Sequence, residues 1–124
     1  MSDTTRASRD GQDDQLALPK GYVLNEYHIE RVLGGGGFGI TYLAHDTHLD
    51  CRVAIKEYVP KDLALREQDL TVRPRSAKAT KGFEWGLKRF LMESRALASF
   101  HHSGIVRVLR YFQANETAYM VMEY

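Results

Sequence analysis

The chain has 124 residues and a formal net charge of +1, from 17 lysines and arginines against 16 aspartates and glutamates. This balance argues against a dedicated nucleic-acid-binding protein, which would carry an excess of basic residues, and the single cysteine, Cys51, excludes an intrachain disulfide framework. The N-terminus has no apolar signal segment and no apolar run approaches the ~20 residues that span a bilayer, so we expect a cytoplasmic chain without a membrane segment.

The first twenty residues are expected to form a disordered tail. Residues 1–15 are polar and show no apolar periodicity, and Pro19 and Gly21 interrupt the segment that follows them. The folded domain is therefore predicted to occupy residues 21–124.

Three short strands are predicted in the first half of this domain. β-Branched and aromatic residues mark a strand from Tyr27 to Leu33, with a slip after Ile29, and two more at residues 40–46 and 51–58. The links between them are short, which indicates an antiparallel meander.

The spacing of apolar residues along the sequence changes after these strands. Residues 61–80 are mixed and basic and contain Pro74, so we expect a solvated loop insertion with one helical turn near Lys61–Leu65. From Lys81 to about Phe100, apolar residues recur at three- and four-residue spacing, which predicts one amphipathic helix.

Two more strands complete the predicted fold, at residues 105–112 and 117–124, joined by a short loop at residues 113–116. The predicted class is α+β: a five-stranded antiparallel sheet with one main helix, in the order β-β-β-α-β-β.

Five of the ten glycines, at residues 34–37 and at Gly39, fall within six residues. Such a density cannot form a helix or an ordinary strand, so it marks backbone that bends freely or approaches something closely. A P-loop is excluded because Gly39 is followed by Ile40 rather than by lysine. The letters also fit a dinucleotide-binding fingerprint, which must open a helix, whereas the residues after Gly39 are strand-like. A β-hairpin whose glycine turn folds over phosphates is favoured, and a helix directly after Gly39 would restore the dinucleotide alternative.

A lysine on the next strand supports the hairpin interpretation. Ala54 and Lys56 are two residues apart, so they share one face of a strand. The small side chain would leave room for a flat base, and the ammonium group would offset the charge of a polyphosphate. Glu93 is the candidate partner for Lys56, because the apolar stripe of the predicted helix should aim it toward the sheet. Alone, Glu93 would be read as a solvated charge at the edge of that stripe.

These motifs resemble the small lobe of a protein kinase, from about Tyr27 to Tyr124. LGGGGFGITY resembles the glycine-rich loop, VAIK the lysine strand, ESRALASFHHSGIV the main helix and the segment after it, and TAYMVMEY the strand that enters the hinge. The sequence is most similar to prokaryotic serine/threonine kinases of the eukaryotic-like type.

The resemblance implies an ATP site. Lys56 would contact the α- and β-phosphates and pair with Glu93, the two residues assigned a catalytic role. Adenine would lie among Leu33, Thr41, Ala54 and the hinge. The residues implied in nucleotide binding are Leu33, Gly34, Gly35, Gly36, Gly37, Phe38, Gly39, Thr41, Ala54, Lys56, Met122, Glu123 and Tyr124.

The resemblance stops at the hinge, since the catalytic loop and the Asp-Phe-Gly motif, which supply the base and the Mg²⁺ ligands, are not in this sequence. We therefore expect a truncated or excised small lobe that is inactive alone, whose parent would bind protein substrates through a large lobe and transfer the ATP γ-phosphate to serine or threonine. The alternative is a non-catalytic, pseudokinase-like regulatory module that acts through interactions.

One further cluster contains residue types that can bind a metal ion. It consists of His45, Asp46, His48, Asp50 and Cys51. Because the cluster falls in a predicted solvent-facing turn between two strands, no metal site is assigned to it.

Overall fold

The computed structural model describes residues 16–100 and 104–124. The elements within these ranges are β1 (Val23–Leu24), β2 (Tyr27–Gly35), β3 (Gly39–Asp46), β4 (Cys51–Tyr58), β5 (Ala64–Arg66), β6 (Val72–Pro74), α1 (Thr80–Ala98), β7 (Val108–Ala114) and β8 (Thr117–Glu123). The predicted helix and the order of the main strands are confirmed, with boundaries that differ by at most a few residues.

A single antiparallel sheet forms the body of the fold. Its six strands lie in the order β1-β2-β3-β4-β8-β7. The α+β class is confirmed, and the predicted count of five strands is one short because Val23 and Leu24 pair with the start of β2. The slip expected after Ile29 is a break of register between Ile29 and Arg31 where β2 pairs with β3.

The residues after the glycines form a strand. β3 begins at Gly39 and pairs with β2 on one side and β4 on the other. The helix that a dinucleotide fingerprint needs does not follow Gly39, so the hairpin interpretation is the one that the fold supports.

The insertion after β4 is more ordered than the sequence suggested. The prediction of a loop for residues 61–80 is wrong, because β5 and β6 pair as a second, two-stranded sheet. The expected turn is present, since the Ala64 amide donates to the Pro60 carbonyl at 2.9 Å. Ala64 and Val72 are each 1% exposed. The burial of these side chains stabilises the hairpin. Burial of this kind depends on tertiary packing, so local sequence does not predict it.

One side of the large sheet, here called the outer face, is covered in part by residues 16–18. The register aligns Tyr42, Ile55 and Val121 in a row across β3, β4 and β8, and all three are fully buried. Leu18 packs on this cluster, and its amide donates to the Tyr42 hydroxyl at 2.9 Å. The prediction that the disordered tail extends to residue 20 is therefore wrong for residues 16–20, while residues 1–15 lie outside the described part of the chain.

Helix α1 packs against the other side of the sheet, at the end of β4. Tyr58 alternates with Lys56 and so shares its face. Its ring lies 5.4 Å from that of Phe83 and 5.8 Å from that of Phe90, and its hydroxyl donates to the Phe83 carbonyl at 2.9 Å. Gly86 permits this approach, since a Cβ at that position would collide with the Tyr58 hydroxyl. The helix and Lys56 are therefore on the same side of the sheet.

Candidate nucleotide-binding site

The face opposite the outer face, here called the inner face, collects the residues predicted to hold a nucleotide. The strand register places Thr41 opposite Lys56, and Ala54 opposite Met122. Directly paired residues in an antiparallel sheet project to the same side, so these four side chains lie on one surface. Ala54 is only 8% exposed, whereas Thr41, Lys56 and Met122 are half-buried.

The glycine loop closes over one end of this surface. A Cβ built on Gly39 would lie 2.5 Å from the Glu57 carbonyl oxygen and 3.6 Å from Cε of Lys56. The first distance shows that β3 and β4 approach too closely here for any side chain. The second shows that the stem of Lys56 runs beside the end of the loop.

The other glycines of the loop are not required by packing. A Cβ on Gly34, Gly36 or Gly37 would meet nothing within 4 Å, and one on Gly35 would make an ordinary contact. None of them has a positive φ. The glycine density therefore provides backbone mobility and open space rather than a fit to neighbouring protein atoms.

Three backbone hydrogen bonds shape the loop. The Gly36 amide donates to the Gly39 carbonyl at 3.0 Å, which closes the turn. The Lys61 amide donates to the Gly37 carbonyl at 3.0 Å, and the Val59 amide donates to the Phe38 carbonyl at 3.3 Å. The loop tip is therefore attached to the start of the insertion, and the Phe38 side chain at the tip is 77% exposed.

A cavity of about 420 Å³ also borders the loop, but on the outer side. Its lining includes Leu16, Val32 and Ile40. Val32 pairs with Tyr42, which places it on the outer face. The cavity is therefore separate from the surface that carries Lys56.

The structure does not bring Glu93 to Lys56. The Glu93 side chain is 65% exposed and pairs with Arg89, one turn earlier, at 3.3 Å. Within residues 16–100 and 104–124, Lys56 has no ion pair. Ser94 occupies the inward position of the helix, 1% exposed, with its hydroxyl donating to the Phe90 carbonyl. The expected inward orientation of Glu93 is not observed here, because the apolar stripe is centred one residue further along, and its pairing with Lys56 stays a prediction.

The hinge end of the site is open to solvent. Leu33 is half-buried, and Tyr124 is 66% exposed. The Glu123 amide donates to the Arg107 carbonyl at 3.0 Å, which holds the end of β8 against the start of β7. The Glu123 carboxylate lies 3.7 Å from the Arg107 guanidinium and is exposed.

Sequence reasoning missed a fully buried carboxylate, that of Glu57. Glu57, next to Lys56 in β4, is fully buried on the outer face and pairs with Arg66 of β5 at 2.6 Å. It also accepts hydrogen bonds from the hydroxyls of Tyr42 and Tyr119, each at 2.6 Å. The signal was the alternation of Val53, Ile55 and Glu57, which places a carboxylate in an apolar row and demands a buried partner. Arg66 falls within residues 61–80, for which local sequence predicts a solvated loop, and for this residue the prediction is wrong.

The geometry of this network determines which of its groups are charged. Burial raises the pKa of Tyr42 and of Tyr119 above the ordinary value of 10.0, and the neighbouring Glu57 carboxylate raises both further. Burial disfavours the charged form of Arg66, but its hydrogen bonds and attraction to Glu57 outweigh that cost and raise its pKa. Both tyrosines are therefore neutral donors beside a charged pair.

The His45 cluster shows no arrangement suited to a metal. His45 Nε2 lies 2.8 Å from Asp50 Oδ1 in an exposed pair. The described residues include no group of three or more side chains placed to hold a metal ion. Within the same ranges, no helix has the length and hydrophobicity needed to cross a membrane.

Comparison with known proteins assigns the fold to a family. The family model of the protein kinase domain matches residues 27–124. The serine/threonine-protein kinase PknD of Chlamydia muridarum is 35% identical over 101 residues, which are 82% of this chain and 9% of that protein. The serine/threonine-protein kinase PrkC of Bacillus subtilis is 31% identical over 102 residues, 82% of this chain and 13% of that protein.

Solved structures show the same relationship. The apo form of PpkA-294 superposes with a TM-score of 0.84 at 45% identity, over 87% of this chain and 38% of that one. The kinase domain of Mycobacterium tuberculosis PknI, with a TM-score of 0.61 at 22% identity, shares the fold. The chain thus spans about a tenth of the length of the PknD and PrkC proteins, within the small-lobe region. The match over residues 27–124, on a sheet and helix arranged as in these structures, shows that this chain belongs to the protein kinase domain family.

Proposed function

We propose that this chain is the ATP-binding small lobe of a serine/threonine protein kinase. The observation that carries the proposal is the position of Lys56, half-buried on the inner face, with its Cε 3.6 Å from where a Gly39 side chain would begin. An ammonium group beside a glycine-rich hairpin offers a charge and backbone amides to the same polyphosphate.

The adenine ring would lie further along the same face. Ala54 provides a small, apolar floor. Met122 is paired with Ala54 in β8, and Thr41 is paired with Lys56 in β3, so both side chains border this floor. The Glu123 carbonyl would accept a hydrogen bond from the adenine amino group. Leu33 and Tyr124 border this region at the ends of β2 and β8.

Catalysis would require groups beyond those in this sequence. The described residues hold no group of three or more side chains that could hold a metal ion. The catalytic loop and the Asp-Phe-Gly motif are likewise absent from the 124 residues. We therefore expect this chain to bind nucleotide without transferring its phosphate, while the complete protein would phosphorylate serine or threonine on protein substrates.

The test is nucleotide binding by the chain with and without the lysine. ATP should bind weakly by isothermal titration calorimetry, because the base is covered from one side only. Lys56→Met should lower the affinity by about tenfold, which corresponds to roughly 1.4 kcal/mol. The matched control is Lys88→Met, an exposed lysine of α1, which should bind as the unsubstituted chain does. Equal binding by the Lys56 and Lys88 variants would refute the proposed role of Lys56.

A non-catalytic interaction module is the second candidate. It is favoured by the exposure of large apolar side chains around the end of α1 and the start of β7: Phe100 is 52% exposed, Ile105 46% and Val106 63%. Exposed large apolar side chains are typical of surfaces that bind another protein. Size-exclusion chromatography at several concentrations tests this candidate, and a monomer at every concentration would count against self-association through this surface.

A further inference from the structure

The segment of residues 59–75, here called the strap, touches the glycine loop directly. It begins with Val59 and Lys61, whose amides donate to the carbonyls of Phe38 and Gly37. The peptide bonds of the loop are trans, so each carbonyl points opposite to the N–H of the next residue. Attachment of these two carbonyls to the strap therefore turns the N–H groups of Phe38 and Gly39 away from it.

A buried ion pair fastens the strap to the sheet. The Arg66 side chain is 3% exposed, and its guanidinium contacts both carboxylate oxygens of Glu57, at 2.6 and 3.0 Å. Its remaining donors reach the carbonyls of Leu16 and Leu70. A planar guanidinium suits this arrangement because it presents several donors in one rigid fork.

The Glu57 carboxylate has no hydrogen-bond acceptor position left for another partner. Its two oxygens accept two bonds from Arg66, one from Tyr42 and one from Tyr119, which fills the lone pairs of a carboxylate. Among the described residues, no buried side-chain nitrogen or oxygen lacks a hydrogen-bond partner. A network of this kind holds one geometry, since any shift leaves a buried charge short of partners.

Glu57 also links the strap to the glycine loop through its backbone. Its side chain is held by Arg66, and its carbonyl oxygen lies 2.5 Å from where a Gly39 Cβ would be. The same residue follows Lys56. The strap is therefore connected to the proposed nucleotide surface in two ways. At its start, Val59 and Lys61 bind carbonyls of the glycine loop. Further along, Arg66 binds Glu57, whose backbone lies against Gly39.

We propose that the strap sets the position of the glycine loop, and that Arg66 is the positioning residue that holds the strap in place. This deepens the proposed function, on whose nucleotide site it rests. A loop with five glycines loses much conformational entropy when it orders around phosphates. The strap removes part of that freedom before the ligand arrives, so loosening it weakens nucleotide binding.

The experiment compares Arg66→Lys with Arg73→Lys in the 124-residue chain. Lysine at position 66 keeps the charge opposite Glu57 but lacks the fork that also reaches Leu16 and Leu70. Arg73 lies on β6 of the same hairpin with a side chain 58% exposed, so its variant controls for the substitution itself. Hydrogen exchange of assigned backbone amides by NMR is the first readout, without nucleotide.

Exchange at the Val59 and Lys61 amides should accelerate about tenfold in Arg66→Lys and stay unchanged in Arg73→Lys, while the amides of Ile55 and Val121 keep their protection. ATP affinity should fall about threefold to tenfold in Arg66→Lys alone. Unchanged exchange at Val59 and Lys61, or an equal increase across the whole sheet, would overturn the proposal. If the unsubstituted chain binds no ATP, the proposed function fails, and the exchange comparison still decides whether Arg66 positions the loop.

Discussion

The two faces of the sheet are completed in different ways. The outer face is closed by residues 16–18 and the strap, and the Glu57 carboxylate on this face is fully buried with every acceptor position used. The inner face leaves Lys56 half-buried and without an ion pair among the described residues, beside a loop whose glycines mostly face open space. A charge that is expensive to bury is fully paired on one face and left available on the other. This contrast separates the residues that stabilise the fold from those that are placed to bind.

The largest expected effect is the loss of the buried arginine. Arg66→Met leaves the Glu57 carboxylate without its cation, which should lower the free energy of unfolding by about 3–5 kcal/mol. Urea denaturation measures this loss. Arg73→Met removes the same charge from an exposed site on the same hairpin and should change the stability by no more than about 0.5 kcal/mol. Similar losses for the two variants would contradict the contrast between the faces.

Removal of one hydroxyl from the network should have an intermediate effect. Tyr42→Phe deprives Glu57 of a donor and the Leu18 amide of an acceptor, which should cost about 1–3 kcal/mol by urea denaturation.

The same hydroxyl should make stability sensitive to alkaline pH. The pKa of Tyr42 is raised in the folded state by burial and by Glu57, so its contribution is complete below pH 10, the ordinary value, and is lost as the pH rises beyond it. Thermal unfolding from pH 8 to pH 11 should show a shallower alkaline decline for Tyr42→Phe than for Tyr124→Phe, whose ring is 66% exposed. Parallel declines would mean that Tyr42 is not coupled to folding.

A smaller effect is expected where the helix meets β4. Gly86→Ala places a Cβ against the buried Tyr58 ring, so overpacking of about 1–3 kcal/mol should exceed the gain of about 1 kcal/mol in helix propensity. At Gly82 the nearest atom to a new Cβ is Leu63 Cδ1, at 3.3 Å, the end of a flexible side chain. Gly82→Ala should therefore be neutral or stabilising in thermal unfolding. Stabilisation by both substitutions would show that Tyr58 does not set the distance of the helix from the sheet.

The smallest effect on stability is expected at the lysine that matters most for binding. Lys56 makes no ion pair within the described ranges and is half-buried, so Lys56→Met should change the free energy of unfolding by about 0.5 kcal/mol or less. Urea denaturation and ATP titration of the same variant should show that Lys56 contributes to ATP affinity and contributes little to the free energy of unfolding. A loss comparable to that of Arg66→Met would place Lys56 in the structural network instead.

Much of the candidate site could be predicted from local sequence. Glycine density, the two-residue spacing of Ala54 and Lys56, and the strand-like residues after Gly39 depend on backbone sterics and strand alternation, which act between near neighbours in the chain. The orientation of Glu93 could not be predicted this way. A rotation of one residue around the helix decides whether Glu93 or Ser94 points inward, and that rotation is set by how Phe83, Phe90 and Gly86 fit against Tyr58.

The amino-acid sequence by itself determined the class of fold, the order of the main strands, the hairpin that carries the glycines, and the next strand, which carries Lys56. Periodicity, turn chemistry and spacing are local properties, so the residues that express them need no partner to be recognised. Only the tertiary structure decided that residues 16–20 and the insertion belong to the folded unit. Arg66 and Glu57 are nine residues apart in the chain, and Arg66 and Leu16 are fifty apart. A charge becomes structural rather than solvated when the fold encloses it with its partners, and no local pattern records that enclosure.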